Sequence, residues 1–356
     1  MEKKNGKLLL YLLYGAITVL FLIAILSFND IGAILQELKN ADFKYILLSF
    51  ASIFLYAALY PFSLCILTRA RGCDIKLTKT YNIAMTEHFF NGITPFATGG
   101  QPFQVYAFAK AKVKPSESTC LLLMNFMVFM LVTNGFALSS LFYFKKFVSD
   151  AAMAIIAVIG FTMNFFVLGV TFLIATSRKV SEFLSRLVDF FCRFKWLARF
   201  LEPKKESLKE YFVNVQEAFA ELKRKKGAFF LALLTKILSM SAYYLTTFFI
   251  LLALRVPVSL NDIFFVICGT SFAVTMVVFL PTPGSSGGIE FAFKTVFASI
   301  AAGAAVSVAY GGMLIWRLLS YYFVMLISLV FYIALEIGFS RKIKKRSSAL
   351  EEEMGE

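Results

Sequence analysis

Two ten-residue motifs share the pattern TPxx[ST]GGxxF, which combines residue types suited to anion binding. The first motif reads TPFATGGQPF over residues 94–103, and the second reads TPGSSGGIEF over residues 282–291. Proline ends an incoming helix, and a glycine pair permits positive φ and close backbone approach. Each motif therefore predicts a bent apex, where one half-helix ends and another begins.

Such an apex carries the groups that bind a phosphate. The outgoing half-helix would begin at the glycine pair, with free N–H groups and the positive end of its dipole directed at the apex. The candidate binding residues are Thr94, Pro95, Thr98, Gly99, Gly100 and Gln101 at the first apex, and Thr282, Pro283, Gly284, Ser285, Ser286, Gly287 and Gly288 at the second. The alternative is that each motif only makes a tight turn packed against its neighbours.

Charged residues in apolar surroundings are further candidates. Arg317 lies within GGMLIWRLLSYYF, where a charge costs about 2.5–3.5 kcal/mol on insertion scales. Arg317 would bind a phosphate while Glu290 positions it or exchanges partners; alternatively, the two form a static ion pair. Glu87 and His88 could carry protons for coupling or make a satisfied polar contact. Lys236 is expected to snorkel to the cytoplasmic surface.

The elements that position these residues must lie in a membrane. Of the 356 residues, 59% are apolar and 16% are charged, whereas soluble domains average about 45–50% apolar and about 25% charged. This composition excludes a soluble enzyme, a DNA-binding domain and a secreted disulfide scaffold. The five cysteines form no CxxC pair and there is one histidine, so we expect no disulfide framework, metal site or cofactor.

Apolar runs of membrane-spanning length predict an all-α polytopic protein. We expect spans at residues 8–28, 45–67, 118–144, 151–175, 228–254 and within 304–339, and interrupted stretches at 80–110 and 262–303. The basic, amphipathic segment 178–226 predicts helices on the membrane surface, against anionic lipid or a docked partner. The tail at 341–356 is expected to be disordered. Most Lys and Arg lie on one side in this topology, which places both termini in the cytoplasm.

The matched motifs divide the chain into two repeats, residues 1–147 and 148–340. Each repeat holds three spans and one re-entrant hairpin, and because three is odd, the second repeat must be inverted relative to the first. The hairpins would then enter from opposite faces and meet near the bilayer midplane, as in transporters built from inverted repeats. A chain that turns back inside a bilayer is tolerated only inside protein or beside a wet cavity.

The segments FFNGITPFATGGQPFQVY and FLPTPGSSGGIE, together with Arg317, resemble the lysylphosphatidylglycerol synthase transmembrane, or flippase-like, family. That family is the membrane half of the multiple peptide resistance factor proteins. The resemblance implies a bacterial plasma-membrane protein that moves aminoacylated phosphatidylglycerol to the outer leaflet and so gives resistance to cationic peptides. Too few residues follow Phe339 for the soluble transferase domain of the full-length relatives, so lysyl transfer is not expected.

We therefore expect a flippase or scramblase for an anionic or aminoacylated phospholipid. The alternatives are a membrane component of phosphatidylglycerol lysyltransferase activity, a transporter of another lipid-linked substrate or of a small solute, and a non-transporting partner of a separate synthase. An enzyme would need a nucleophile and base or a metal site, and the sequence offers neither. The expected partners are a phospholipid and the membrane, with a separate lipid synthase or a second copy as further possibilities, and no nucleic acid.

Overall fold

The computed structural model describes residues 41–194, 205–278, 280–301 and 306–353, together with positions 39 and 202. Across these ranges the regular structure is helical, and no strand occurs in them. The span expected at residues 8–28 lies outside the described residues.

The helices are numbered here in chain order. They are α1 (Phe43–Leu59), α2 (Phe62–Arg71), α3 (Leu77–Met85), α4 (Glu87–Ile93), α5 (Gly100–Lys110), α6 (Pro115–Ser140), α7 (Phe144–Phe147), α8 (Ala151–Thr176), α9 (Arg178–Phe191), α10 (Lys205–Arg224), α11 (Lys226–Ala253), α12 (Ile263–Val277), α13 (Gly288–Ile300), α14 (Val306–Arg317) and α15 (Val324–Glu353). A π-helical segment, Leu318–Phe323, joins α14 to α15.

Local sequence accounts for several of these boundaries. Pro61 separates α1 from α2 because proline lacks the N–H group that would continue the helical hydrogen bonds. Gly72 closes α2 with a φ of 79°, a conformation that glycine adopts without steric cost. Asp150 caps α8 by accepting a hydrogen bond from the Met153 backbone N–H.

Among the described residues, six helical stretches are long and apolar enough to cross a membrane. Five overlap expected spans: Phe43–Arg71, Pro115–Phe147, Ala151–Thr176, Lys226–Ala253 and Val308–Ser340. The sixth, Leu260–Val277, is predicted from the sequence as one arm of the second interrupted stretch. At 18 residues it is at the short end of spanning length, and α13 packs back along it.

One end of the bundle is defined by Arg71 and is called the Arg71 end. Arg71 forms ion pairs with Glu117 at the start of α6 and with Glu221 near the end of α10. The Lys225 ammonium donates to the Ala70 carbonyl at 2.6 Å. Three elements separated along the chain therefore meet at this end.

The first interrupted stretch begins and ends at the Arg71 end. Lys110 closes α5 and pairs with Glu336 of α15 at 3.2 Å. The ammonium groups of Lys79, in α3, and Lys110 both lie over the Phe339 ring, at 4.2 and 5.2 Å from its centroid. The two outer arms of this stretch thus lie beside the same ring, so the chain reverses between them.

The opposite end is defined by Phe147 and is called the Phe147 end. Here the Phe147 ring lies 5.2 Å from the Phe265 ring near the start of α12. Gly269 of α12 faces both the Phe147 ring and the Ile300 side chain, the last residue of α13. The second interrupted stretch therefore begins and ends at the Phe147 end.

The amphipathic segment is not simply a membrane-surface helix. The apolar face of α10 buries Val215, Ala218, Phe219 and Leu222 in a core shared with α2 and α6. The Gln216 side chain also donates to the Ser177 carbonyl at 2.7 Å. Because its apolar face packs on protein, α10 does not rest on lipid through that face as expected.

The last helix also extends further than expected. It continues to Glu353, whereas disorder is expected from residue 341. The Lys, Arg, Ala, Leu and Glu residues of this stretch have high helix propensity, so a helix already formed in the membrane segment continues through them.

Candidate functional site

The first apex is a strained turn between α4 and α5. Phe96 and Ala97 have φ values of 55° and 51°, which side-chain-bearing residues rarely adopt. The Thr94 hydroxyl donates to the Phe90 carbonyl at 2.7 Å and accepts from the Gly99 N–H at 2.9 Å. The Thr94 hydroxyl therefore links the end of α4 to the residue before α5 across the turn.

The glycine pair at this apex permits close packing. The Gly100 N–H, at the start of α5, donates to the Asn91 side-chain oxygen at 2.8 Å. A Cβ at Gly100 would lie 2.6 Å from that oxygen and 2.8 Å from Glu87 Cγ. Only glycine lets α5 begin this close to α4.

The second apex, between α12 and α13, is built differently from the same kinds of residue. Gly284, Ser285 and Gly287 have φ values of 58°, 54° and 88°. The Thr282 hydroxyl donates to the Ser286 carbonyl at 2.9 Å, and the Ser285 hydroxyl donates to the Val278 carbonyl at 3.2 Å. The threonine of each motif thus secures its own turn.

Arg317 anchors the second apex from the neighbouring helix. Its side chain is almost fully buried, and its two terminal nitrogens donate to the Gly284 carbonyl at 2.9 Å and the Ser286 hydroxyl at 2.8 Å. Its Nε lies 3.3 Å from Glu290 Oε1, which makes the ion pair expected from the sequence. The guanidinium therefore holds three separate groups of this apex.

Glu290 lies between Arg317 and the N-terminus of α13, where the sequence predicts an anion site. Its Oε2 accepts the Gly287 N–H at 2.6 Å, at the N-terminus of α13. A carboxylate at a helix N-terminus and beside an arginine has the position and charge of a bound phosphate. In this conformation the expected anion site is filled by the side chain of Glu290, which is 29% exposed.

The two apices lie against each other, and Tyr321 contacts both. The Tyr321 hydroxyl donates to the Gly92 carbonyl of the first stretch at 2.8 Å. Its ring lies 4.1 Å below the Arg317 guanidinium carbon and packs on Gly284 of the second stretch. The π-helical segment that begins after Arg317 sets the position of this ring, and such segments occur frequently at functional sites.

Several residues at the tips of the apices are exposed. Thr98 and Ser286 have exposed side chains, as do Pro95 and Phe96. Gln101 is partly buried in the first turn of α5. Each apex therefore has an exposed hydroxyl residue, and the buried Arg317 donates to the one at the second apex.

Lys236 does not snorkel to a surface, so that expectation is wrong. It is fully buried in α11, its ammonium donates to the Tyr60 carbonyl at 3.1 Å, and it lies 3.4 Å from the Tyr60 ring centroid. Glu87 is also buried. A lysine this far from the helix end finds a backbone carbonyl and an aromatic face more readily than water.

Glu87 and His88 keep unpaired atoms. Glu87 Oε2 and His88 Nε2 are buried without a hydrogen-bond partner in the described structure. The His88 ring lies beside the Tyr60 ring, with 4.4 Å between their centroids and 55° between their planes. The alternative expected from the sequence is that Glu87 and His88 have all their hydrogen bonds satisfied. The structure does not satisfy them fully, because one atom of each side chain lacks a partner.

Sequence reasoning missed the residues that join the elements. Tyr321 follows Arg317 by one helical turn, a spacing that places both side chains on one face and that could have drawn attention to it. The role of Asn91 and the contact of Lys236 with Tyr60 carry no sequence signal, because each depends on which helix becomes the neighbour.

These features define an all-α, multi-pass membrane protein in which two broken helical stretches meet at a buried arginine. The family model described as "Lysylphosphatidylglycerol synthase TM region" matches residues 11–328. The chain belongs to that family. None of the curated proteins matches the sequence.

Proposed function

We propose that this protein is a flippase or scramblase that moves an anionic or aminoacylated phospholipid, of the lysyl-phosphatidylglycerol kind, between leaflets. The observation that carries the proposal is the meeting of the two apices at Arg317 and Tyr321. A phospholipid head group needs a polar place inside an otherwise apolar bundle. The apices supply one, within helices long enough to cross the bilayer.

The arrangement of the arms supports two re-entrant hairpins of opposite direction. The first stretch begins and ends beside Phe339 at the Arg71 end, and the second begins and ends beside Phe147 at the other end. Hairpins that enter from opposite faces and touch at their tips are what an inverted repeat of residues 1–147 and 148–340 would produce.

The chemistry of the second apex supports phosphate binding. Glu290 fills an anion position between Arg317 and the N-terminus of α13. A lipid phosphate would displace that carboxylate and take over its contacts with Arg317 and the Gly287 N–H. The exposed residues Thr98 and Ser286 and the partly buried Gln101 lie at the apices, where the rest of the head group would make polar contacts.

The charge distribution supports a plasma-membrane protein with its termini in the cytoplasm. The basic residues Arg71, Lys110 and Lys225 lie at the Arg71 end, together with the end of the last membrane helix. Basic residues concentrate on the cytoplasmic side of membrane proteins. Export of a cationic lipid from that side would reduce the negative charge of the outer leaflet, and resistance to cationic antimicrobial peptides would follow.

Family membership favours one second candidate. The matched model describes the membrane region of a synthase, so the chain would serve as the membrane component of phosphatidylglycerol lysyltransferase activity, with a separate synthase or a second copy as its partner. The test is lysyl-lipid formation from lysyl-tRNA by the purified chain alone and with a candidate synthase.

The proposed function is tested in proteoliposomes. Lysyl-phosphatidylglycerol or acyl-labelled phosphatidylglycerol is placed in the vesicles, and its appearance in the outer leaflet is followed with an impermeant amine reagent or with dithionite. We expect protein-dependent exchange that exceeds the rate in protein-free vesicles. Absence of movement for every anionic or aminoacylated lipid would reject the proposal.

A further inference from the structure

One lysine lies in the middle of α13, the arm that returns from the second apex. This helix runs from Gly288 at the apex to Ile300 at the Phe147 end, and Lys294 is its central residue. At about 1.5 Å per residue, Lys294 lies about 9 Å from either end of the helix. In a re-entrant hairpin this position is between the apex and the membrane surface.

Lys294 and Glu290 share the unpacked face of α13. The packed face consists of Ile289, Ala292, Phe293, Val296, Phe297 and Ile300. On the other face, Lys294 is exposed and Glu290 is partly exposed. Residues four apart on a helix are neighbours, and a glutamate that precedes a lysine by four residues is in the favoured order. A rotamer change in Glu290 alone would therefore bring its carboxylate to Lys294.

Lys294 is not engaged with Glu290 in this conformation. None of the ion pairs in the described part of the chain includes Lys294, and the Glu290 carboxylate lies instead 3.3 Å from Arg317 Nε and 2.6 Å from the Gly287 N–H. No other Lys or Arg occurs in α13. A cationic side chain in an apolar helix is costly and marks a functional position, with its natural partner close by.

The turn itself does not require these two charges. The first motif has Pro102 at the position that matches Glu290, and Tyr106 at the position that matches Lys294. In the first apex the neutral Asn91 side chain accepts the first N–H of α5. Because a glycine apex of this type forms without an acid or a base, the charges on α13 need another explanation.

Displacement of Glu290 by a phosphate has an electrostatic requirement. The proposed binding step gives Arg317 a new anion, but it leaves the Glu290 carboxylate without its cation. An uncompensated charge away from water is strongly unfavourable. Lys294 removes this penalty, because each of the two anions then has a cation of its own.

We propose that Lys294 is a positioning residue, which receives the Glu290 carboxylate when the phosphate of an anionic phospholipid takes its place at Arg317. Glu290 thus alternates between two cations, Arg317 in the empty site and Lys294 in the occupied site. Release of the lipid reverses the exchange. This inference rests on the proposed function, and it identifies the second partner of Glu290.

The exchange is tested by a double-mutant cycle on lipid binding. Binding of a fluorescent short-chain phosphatidylglycerol to the protein in non-ionic detergent is measured for the wild type, Lys294→Met, Glu290→Gln and the double variant. For Lys294→Met we expect about 10-fold weaker binding, because a charge-assisted contact of the displaced carboxylate is lost. In the Glu290→Gln background the same lysine substitution should change the affinity by about 2-fold or less, since no carboxylate has to be received.

The cycle separates a positioning residue from a direct phosphate contact. If Lys294 bound the phosphate itself, Lys294→Met would weaken binding equally in both backgrounds, and that result would overturn the proposal. Unchanged affinity in Lys294→Met would overturn it as well. Lys294→Arg keeps the cation and should bind as the wild type does. Lys145→Met, which removes an exposed lysine at the Phe147 end, is the matched control.

Failure of this inference is distinguishable from failure of the proposed function. Coupling between Glu290 and Lys294 in the binding assay supports the exchange even if no lipid moves in proteoliposomes, in which case only the proposed function fails. Lipid movement with independent effects of the two substitutions would leave that function intact and overturn the exchange. Inorganic phosphate should compete only weakly for the site. Competition equal to that of unlabelled phosphatidylglycerol would assign the site to a free anion and contradict a lipid ligand.

Discussion

At the residue scale, the site depends on the fork geometry of one guanidinium. Arg317 reaches a carbonyl, a hydroxyl and a carboxylate of the second apex while stacking on Tyr321. Planar, multidentate contacts of this kind are specific to arginine, because a lysine ammonium is a compact point charge. The free-energy cost of burying such a charge is offset only by partners held in fixed positions.

We expect Arg317→Lys to lower the lipid translocation rate by about 10-fold or more, since the loss of one charge-assisted hydrogen bond already has that effect. Arg317→Ala and Glu290→Ala should abolish translocation while folded protein is still recovered. Arg69→Ala, an exposed arginine at the Arg71 end, is the matched control. If the variants are merely less stable and their folded fraction moves lipid normally, the ion pair is static.

Tyr321→Phe isolates the hydrogen bond between the apices. The change keeps the ring under Arg317 but removes the donor to the Gly92 carbonyl. We expect a loss of about 0.5–1.5 kcal/mol in the free energy of unfolding and faster hydrogen exchange over residues 94–100. Tyr310→Phe, a partly exposed tyrosine on the preceding helix, should change neither quantity. Unaltered exchange in Tyr321→Phe would mean that the apices do not depend on this contact.

At the element scale, close helix packing sets the position of the second stretch. Gly160 of α8 faces the backbone of Met276 in α12, with no room for a Cβ. The Asn164 side chain, one turn later, donates to the Thr275 carbonyl at 3.1 Å. Small residues that let helix backbones approach are the usual means of association inside membranes. α12 is thereby fixed along α8 and brings its apex to Arg317.

Gly160→Leu should separate α8 from α12, because the obstacle is backbone that cannot move aside. Overpacking of this kind costs about 1–3 kcal/mol or more, so we expect a lower thermal midpoint and reduced lipid translocation. Gly169→Leu on the same helix, where a Cβ meets only open space, is the control and should behave as wild type. Equal stability of the two variants would contradict the close approach.

At the scale of the whole molecule, the two ends differ in chemistry. The Arg71 end collects ion pairs among Arg71, Glu117 and Glu221, and α10 packs there through its apolar face. The Phe147 end is largely aromatic, with the Phe147 ring beside that of Phe265. This asymmetry is what the proposed cytoplasmic placement of the Arg71 end would produce, because basic segments concentrate on the cytoplasmic side.

Orientation is tested by thiol labelling of intact cells with an impermeant maleimide. Ser149→Cys, at the Phe147 end, should be labelled, whereas Lys114→Cys, at the Arg71 end, should react only after permeabilisation. Burial, and to a lesser degree Glu117, raises the pKa of the native Cys73 thiol to about 11, so it reacts weakly at neutral pH. Cys192 is replaced by serine. The reverse labelling pattern would contradict cytoplasmic termini.

The sequence by itself determined the class of protein and the location of the two apices. Apolar runs predict membrane helices because every backbone polar group in lipid must be satisfied within its own segment, and five described spans agree with that prediction. The TPxx[ST]GGxxF motifs and the pairing of Arg317 with Glu290 were likewise visible, since each depends on residues that carry their own chemistry.

Tertiary structure alone decided which elements became neighbours. Lys236 looks like a snorkelling lysine until α11 is placed beside α1 and α2, where its ammonium contacts Tyr60. In the same way, α10 looks like a surface helix until its apolar face packs on α2 and α6. Tyr321 gains its role only because two stretches far apart in the chain meet at its ring. Sequence periodicity indicates which face of a helix is apolar. The partner of a polar side chain depends instead on which residues lie close to it in three dimensions, and no local pattern encodes that.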